Sequence, residues 1–469
     1  MVSRQTHRLT AMACAALLAS AIPGRCTAQT ATNQVADSSS PPLSTLATPG
    51  LPQPLTLDEA LALARRTHPD FRVAAADLAV LRADSTFARV PAFNPVVEVQ
   101  TSRGGQSLGS GSEATFELGV SQEVELWGKR EARQGVATAR ARTGAAEWSA
   151  KLQSIESAVR AQFQRASFLQ DRLGALSELT ELDRRVVTAS QARVRDGSIT
   201  PVTGRLTELD LLRLEVEGRR AQADLRQALV ALGLSIGVAL PDSTRLAGTL
   251  QADSLQTPED SVVALAMSAR RAGDALRNQI AVRRAELHLA EREARPDITL
   301  GLGLTRERQS FSHDDFTGDP TIVGGIAGVR STDNLWIARV SAPLTIWQKN
   351  QAGRARASAE IVRSQADFDR YRLLTRLEVL GTVRRFQDAA GLYRFYLDRS
   401  RHVRKDLVMI REAYADGRIS LDSYLTQKGR LVDTLLGQLE AADAYWDARG
   451  ALESAVGLDL DHINADGAR

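Results

Sequence analysis

Gly105-Gln106-Ser107-Leu108-Gly109 matches G-x-S-x-G, the pattern that thrusts a serine out of a strained strand-to-helix turn as an acyl-transfer nucleophile. Such a turn needs a strand before it and a helix after it. Here the pattern lies in the Gly/Ser-rich stretch Arg103 to Ser112, and another alternating segment comes next, so it reads as a loop and a secreted hydrolase built on Ser107 lacks its frame. The histidines beyond residue 28 are His68, His288, His313, His402 and His462, with no H-x-x-x-H or other short ligand spacing, and only Met267 and Met409 could add thioethers. His313 with Asp314, Asp315 and Asp319 could hold a cation weakly, but a solvated external loop is the favoured reading of them. There is no Walker A motif, so energy for any transport comes from a partner. No cofactor or resident metal is expected.

The frame for any chemistry must therefore be sought in the elements. The chain has 469 residues, 59 Lys+Arg, 56 Asp+Glu and 2 Cys. Arg4, Arg8 and Arg25 fall in residues 1–28, which contain no acid, and the remainder balances, which removes the electrostatic support for nucleic-acid binding. Residues 1–28 read as a signal peptide: Arg4, His7 and Arg8, an apolar run from Leu9 to Ile22, then Cys26-Thr27-Ala28. Both cysteines, Cys14 and Cys26, lie inside it, so the exported chain would have no thiol or disulfide. Residues 29–55 read as a flexible lead-in rich in Ser, Thr, Pro and Ala. No later segment is apolar for the 18 residues that a membrane helix needs.

Beyond residue 55 the chain is duplicated. Thr56-Leu57-Asp58-Glu59 is a capping box, and Thr257-Pro258-Glu259-Asp260 reads as a related start with Pro at the first helical position. Then, at a constant offset of 220, Val120-Ser121 matches Val340-Ser341, Trp127 matches Trp347, Lys129 matches Lys349, Asp196-Gly197 matches Asp416-Gly417, Ile199 matches Ile419 and Gly237 matches Gly457. Residues 56–256 and 257–461 form two copies of a helix, strand, strand, long helix, helix unit, with a tail at 462–469. The second copy carries 19 extra residues within the Gly- and Asp-rich stretch Gln309 to Asp333. Residues 128–195 contain no proline and place apolar residues at three- and four-residue steps, which predicts one helix roughly 100 Å long. A second of similar length is predicted over about 348–415.

Strands are expected at about 95–102, 114–126, 297–308 and 334–346. Val97 and Val99 alternate with Glu98 and Gln100; Phe116, Leu118 and Val120 with Glu117, Gly119 and Ser121; Leu300, Leu302 and Leu304 with Thr299, Gly301 and Gly303; Trp336, Ala338 and Val340 with Arg339 and Ser341. One apolar and one polar face suits a membrane barrel with its polar side inward, or an ordinary half-buried sheet. Four strands cannot close a barrel, because membrane barrels need about eight or more. Copies would have to share one, and three copies would give twelve strands.

In these features the chain resembles the TolC family of outer-membrane factors. The resemblance runs from Leu55 to about Asp461 and rests on Leu55-Thr56-Leu57-Asp58-Glu59-Ala60-Leu61, the corner Glu125-Leu126-Trp127-Gly128-Lys129-Arg130, the two Asp-Gly-x-Ile turns and the closing Ala231-Leu232-Gly233-Leu234 with Gly237. The corner is most similar to the heavy-metal branch. The resemblance implies a mainly α protein with a small β part: a homotrimer with a twelve-stranded β-barrel in outer-membrane lipid on a long periplasmic α-helical barrel. It would be a passive exit duct, not an enzyme, working with a periplasmic adaptor and an inner-membrane pump of the RND type, for heavy-metal cations or drugs. A type I protein-secretion duct has the same form. A periplasmic coiled-coil adaptor or scaffold is the other reading; the strands, the tryptophans and the lack of a lipoyl-like half-motif count against it.

The resemblance assigns roles. Asp196, Gly197, Ile199 and Thr200, with Asp416, Gly417, Ile419 and Ser420, would be the periplasmic tips that meet the adaptor. The family often places carboxylates six and nine residues after the turn glycine, as an acidic iris; here those positions are Ser423 and Thr426, with Thr203 and Leu206 in the first copy. Asp422, Glu208 and Asp210 are the nearest acids, and as exposed helix charges they need no gating role. Trp127 and Trp347 would sit at the barrel-to-tunnel corner, at the bilayer interface or in core packing, with Lys129 and Lys349 meeting lipid head groups or solvent.

Overall fold

The computed structural model describes residues 54–105, 112–247, 253–311, 329–400 and 402–467. The export segment with Cys14 and Cys26, Ser107, and His313 with Asp314, Asp315 and Asp319 lie outside them.

The first copy opens with α1 (Leu57–Thr67), capped as its sequence demands: the Thr56 hydroxyl accepts from the Glu59 amide and the Glu59 carboxylate accepts from the Thr56 amide at 2.9 Å. Pro69 forces His68 into extended backbone and starts α2 (Pro69–Phe87). The second copy departs from its expected start. Pro258 is the cap residue of α5 (Glu259–Ala269), not its first helical residue, and the Thr257 hydroxyl donates to the Ile463 carbonyl instead of capping. Arg270, again extended, separates α5 from α6 (Arg271–Glu293).

The strands β1 (Val96–Gly105), β2 (Ser112–Val124), β3 (Ile298–Phe311) and β4 (Val329–Ser341) form one antiparallel sheet in the order β1-β2-β3-β4. Between β2 and β3 runs α3 (Lys129–Arg195), 67 residues without a break, which returns as α4 (Pro201–Ile236). The second rod is not continuous as expected. It consists of α7 (Gln351–Ser400) and α8 (Val403–Ala415), then α9 (Leu421–Val456) and a short α10 (Leu460–Gly467). His402, the cap residue of α8, has right-handed torsions (φ −97°, ψ −15°).

α3 packs along α4, α6 and α2, and α7 along α6 and α9. The main core is a collar where α1, α5, the middle of α3, residues 379–390 of α7 and the C-terminal parts of α4 and α9 converge on Phe163, Phe386, Tyr445 and Leu452. Several of its buried polar groups are paired. The Tyr445 hydroxyl donates to the Asp253 carbonyl at 2.9 Å, and Glu453 accepts from Arg449, Gln164 and the Leu460 amide. Among the described residues no helix is long and apolar enough to cross a membrane.

Candidate functional site

Three places can serve a conduit: the sheet, the corner beneath it and the far ends of the rods. Register determines what each face of the sheet carries. Val97, Val120, Leu302 and Ala338 lie in one row and Val99, Leu118, Leu304 and Trp336 in the next, and most of these side chains are exposed. The opposite face carries Glu98, Gln100, Glu117, Ser121, Thr299 and Arg339 around a cleft of about 270 Å³. Arg339 lies 3.9 Å from Glu117 across this face. Alternation also places Glu113, Glu123, Glu307 and Asp333 on the polar side. Among the described residues the outer strands β1 and β4 each have one edge without a partner strand, and long unpaired edges are normally covered.

At the corner, Trp127 (φ +63°) and Gly128 (φ +73°) turn β2 into α3. The Trp127 indole N–H donates to the Pro296 carbonyl at 3.0 Å and the ring carries the Arg295 guanidinium at 5.3 Å. Lys129 is ion-paired: its ammonium lies 2.7 Å from Asp297, both side chains are largely buried, and the other Asp297 oxygen accepts from the Leu126 amide. This pair joins the two copies. Glu125 accepts from Arg133 and from the Ala92 amide, and the Arg133 bond chiefly holds its carboxyl below the usual range. The second corner is built otherwise. Gln348 stands where Gly128 would, so the left-handed turn moves to Asn350 (φ +51°), a residue type that tolerates it, and α7 starts two residues after Lys349. Asn350 donates to the Ala290 carbonyl, while Lys349 and Trp347 are exposed.

At the far ends both Asp-Gly-x-Ile segments turn identically. Gly197 (φ +64°) and Gly417 (φ +73°) come after the cap residues Asp196 and Asp416, and the Ser198 and Arg418 amides donate back to Arg193 and Ala413 at 2.8 Å. Thr200 and Ser420 then cap α4 and α9 by accepting from the Thr203 and Ser423 amides. Ile199 and Ile419 are half-buried, the Asp and Gly residues exposed. Of the constriction candidates, Asp422 and Thr426 are exposed, and the Ser423 hydroxyl accepts from Gln427.

Sequence reasoning missed what holds these ends. Tyr414 and Tyr424 stack at 5.0 Å, Arg193 covers the Tyr414 ring and donates to its carbonyl, and the Ser190 and Tyr414 hydroxyls bond at 3.1 Å. Burial pushes the Tyr424 phenol up. Further along, buried Lys428 of α9 lies 2.6 Å from Asp183 of α3 and 2.7 Å from Asp210 of α4. Asp210 is therefore an ion-pair partner, not a free charge, and Glu208 accepts from Gln191. Burial raises the Asp183 carboxyl, against the opposing pull of the Lys428 ammonium. The scarcity of lysine, five in the chain, was the one available signal for Lys428. Among the described residues no group of three or more His, Cys, Asp or Glu could hold a metal.

A four-stranded sheet with one largely apolar and one largely polar face, carried on rods of this length, fits a channel-forming class. The model of the outer membrane efflux protein family matches residues 60–238 and 264–458, and the chain belongs to that family. In structure it is similar to the outer-membrane channel OprN, at 15% identity over 86% of this chain and 90% of that one, with TM-score 0.65. It is likewise similar to the CmeC outer membrane channel of Campylobacter jejuni (14% identity, 88% and 89% covered, TM-score 0.64). The MtrE outer membrane channel of Neisseria gonorrhoeae in its open state gives 17% identity, 86% and 89% coverage and TM-score 0.63. At these identities the likeness is one of fold. No curated protein matches the sequence. The family consists of passive outer-membrane channels, which displaces the hydrolase and adaptor readings.

Proposed function

We propose that three copies of this chain form the outer-membrane exit duct of a tripartite efflux system, after export directed by residues 1–28. The carrying observation is the two-faced sheet with unpaired edges on β1 and β4. Pairing β4 of each copy with β1 of the next closes twelve strands, covers every edge and turns the acids inward. The Asp196–Thr200 and Asp416–Ser420 turns then serve as periplasmic tips that dock an adaptor, through which an RND-type inner-membrane pump supplies energy and selection. Ser423, Thr426 and Asp422 line the entrance without the two-acid iris.

The charge of the wall supports a substrate class. Each copy faces inward with Glu98, Glu113, Glu117, Glu123, Glu307 and Asp333 against Arg339. A water-filled lumen so lined concentrates cations and repels anions, which favours heavy-metal cations or cationic drugs over folded protein. In planar bilayers under a KCl gradient, the purified protein is expected to show a cation-selective reversal potential, reduced in an E98Q/E117Q/E307Q variant. Equal permeability to both ions would overturn the assignment of substrate charge. Loss of tolerance to cobalt, zinc, cadmium or copper salts on deletion, restored by the gene, would support the metal branch.

A further inference from the structure

The outer face of the sheet changes character towards its loop end. Beyond the row of Val99, Leu118, Leu304 and Trp336 comes Thr101, Phe116, Arg306 and Asn334, and then Arg103, Ala114, Arg308 and Thr332. The three arginines are exposed and line one shallow cleft with Thr101, Phe116 and Ala114. Arg306 and Arg308 stand about 7 Å apart along β3, and Arg103 is two strand spacings, about 10 Å, from Arg308. Among the described residues none of the three is ion-paired. The strand acids around them, Glu113, Glu117, Glu307 and Asp333, all occupy the opposite face by alternation, and Glu117 takes Arg339 there.

We propose that Arg103, Arg306 and Arg308 form a binding site for the phosphate groups of outer-leaflet lipid. The inference rests on the outer-membrane reading of the sheet. Cationic side chains directly above an apolar, lipid-facing band extend their stems over it and hold their heads at its border. Three unpaired guanidiniums there repel one another unless an anion lies between them. A guanidinium binds phosphate through two parallel hydrogen bonds, a geometry that lysine cannot reproduce. A spacing of about 7 to 10 Å suits separate phosphates on one or adjacent head groups. The site would fix the height of the barrel in the membrane and contribute nothing to the lumen.

The test titrates the detergent-purified full-length protein with lipid A carrying its phosphates and with dephosphorylated lipid A, following bound lipid by native mass. Wild type is expected to bind the phosphorylated lipid at least about tenfold more tightly. R103Q/R306Q/R308Q should abolish the preference and R103K/R306K/R308K should keep part of it, with inorganic phosphate failing to compete. Equal binding of the two lipids, a preference that survives the glutamine variant, or full competition by inorganic phosphate would each overturn the proposal. Outer-membrane fractionation and the assembled mass of every variant provide the control. An assembled outer-membrane particle without phosphate preference defeats this inference alone, whereas a soluble single chain defeats the duct reading beneath it.

Discussion

Gly197 and Gly417 end the two rods with the same backbone turn, yet the side chains packed behind them share almost nothing. Behind the first turn Val194 packs against Gly204, where an added Cβ would meet the valine at 2.9 Å. At the corresponding positions behind the second, Tyr414 stacks on Tyr424. The corners differ in the same way. Trp127 is 50% exposed and Trp347 is 83% exposed; Lys129 has Asp297, while Lys349 faces solvent. The first corner finds its neighbouring strand, β3, within the chain, whereas β4 beside the second corner has a free edge. Duplication kept the turns because glycine torsions and caps are local, and let the packing diverge because neighbours differ.

The largest effect expected from that divergence is at Lys428, whose counterpart in the first copy is Glu208. Lys428→Met leaves Asp183 as a buried unpaired carboxylate and should cost about 3–5 kcal/mol in denaturant unfolding. D183L/K428M should regain most of that, and Glu208→Met should stay within about 0.5 kcal/mol. A loss at Lys428 no larger than at Glu208 would erase the distinction between the copies.

At the corners, Lys129→Met should cost about 1–3 kcal/mol and Lys349→Met about 0.5 kcal/mol or less. The residue matching Asp297 in the first copy is Val96, so no equivalent carboxylate is available to Lys349. Equal losses would contradict the unequal burial. The turn glycines sharpen the comparison from the other side: Gly197→Ala and Gly417→Ala should each cost about 1–2 kcal/mol, because both positions need positive φ. The two values should agree, measured as shifts in thermal midpoint.

The smallest effect concerns acid. The folded pKa of Glu125 lies below its unfolded value near 4.3, so its contribution is complete above that value and disappears as pH falls through the folded pKa. Glu125→Gln should flatten the acid side of the stability profile. Thr345 occupies the matching place in the second corner and should leave the profile unchanged on substitution.

Much of the fold was legible because its determinants are local. The Thr56 capping box, the alternating strands, the proline-free rod and the glycine turns are each written in consecutive residues. The Asp183–Lys428 pair was not, since 245 positions separate its partners and no period relates them. The shift of the turn from Gln348 to Asn350 and the diversion of the Thr257 hydroxyl to Ile463 depend on neighbours that only the folded chain supplies. The Lys129–Asp297 pair was hidden for the same reason, because 168 positions separate its partners until β3 brings them together.

In the proposed duct the free edges of β1 and β4 are completed by further copies of the same chain, and everything said of the lumen depends on that closure. Native mass of the particle extracted from the outer-membrane fraction tests it most directly. Three chains in one particle are expected; a single chain, or recovery in the soluble periplasmic fraction, would contradict the shared barrel.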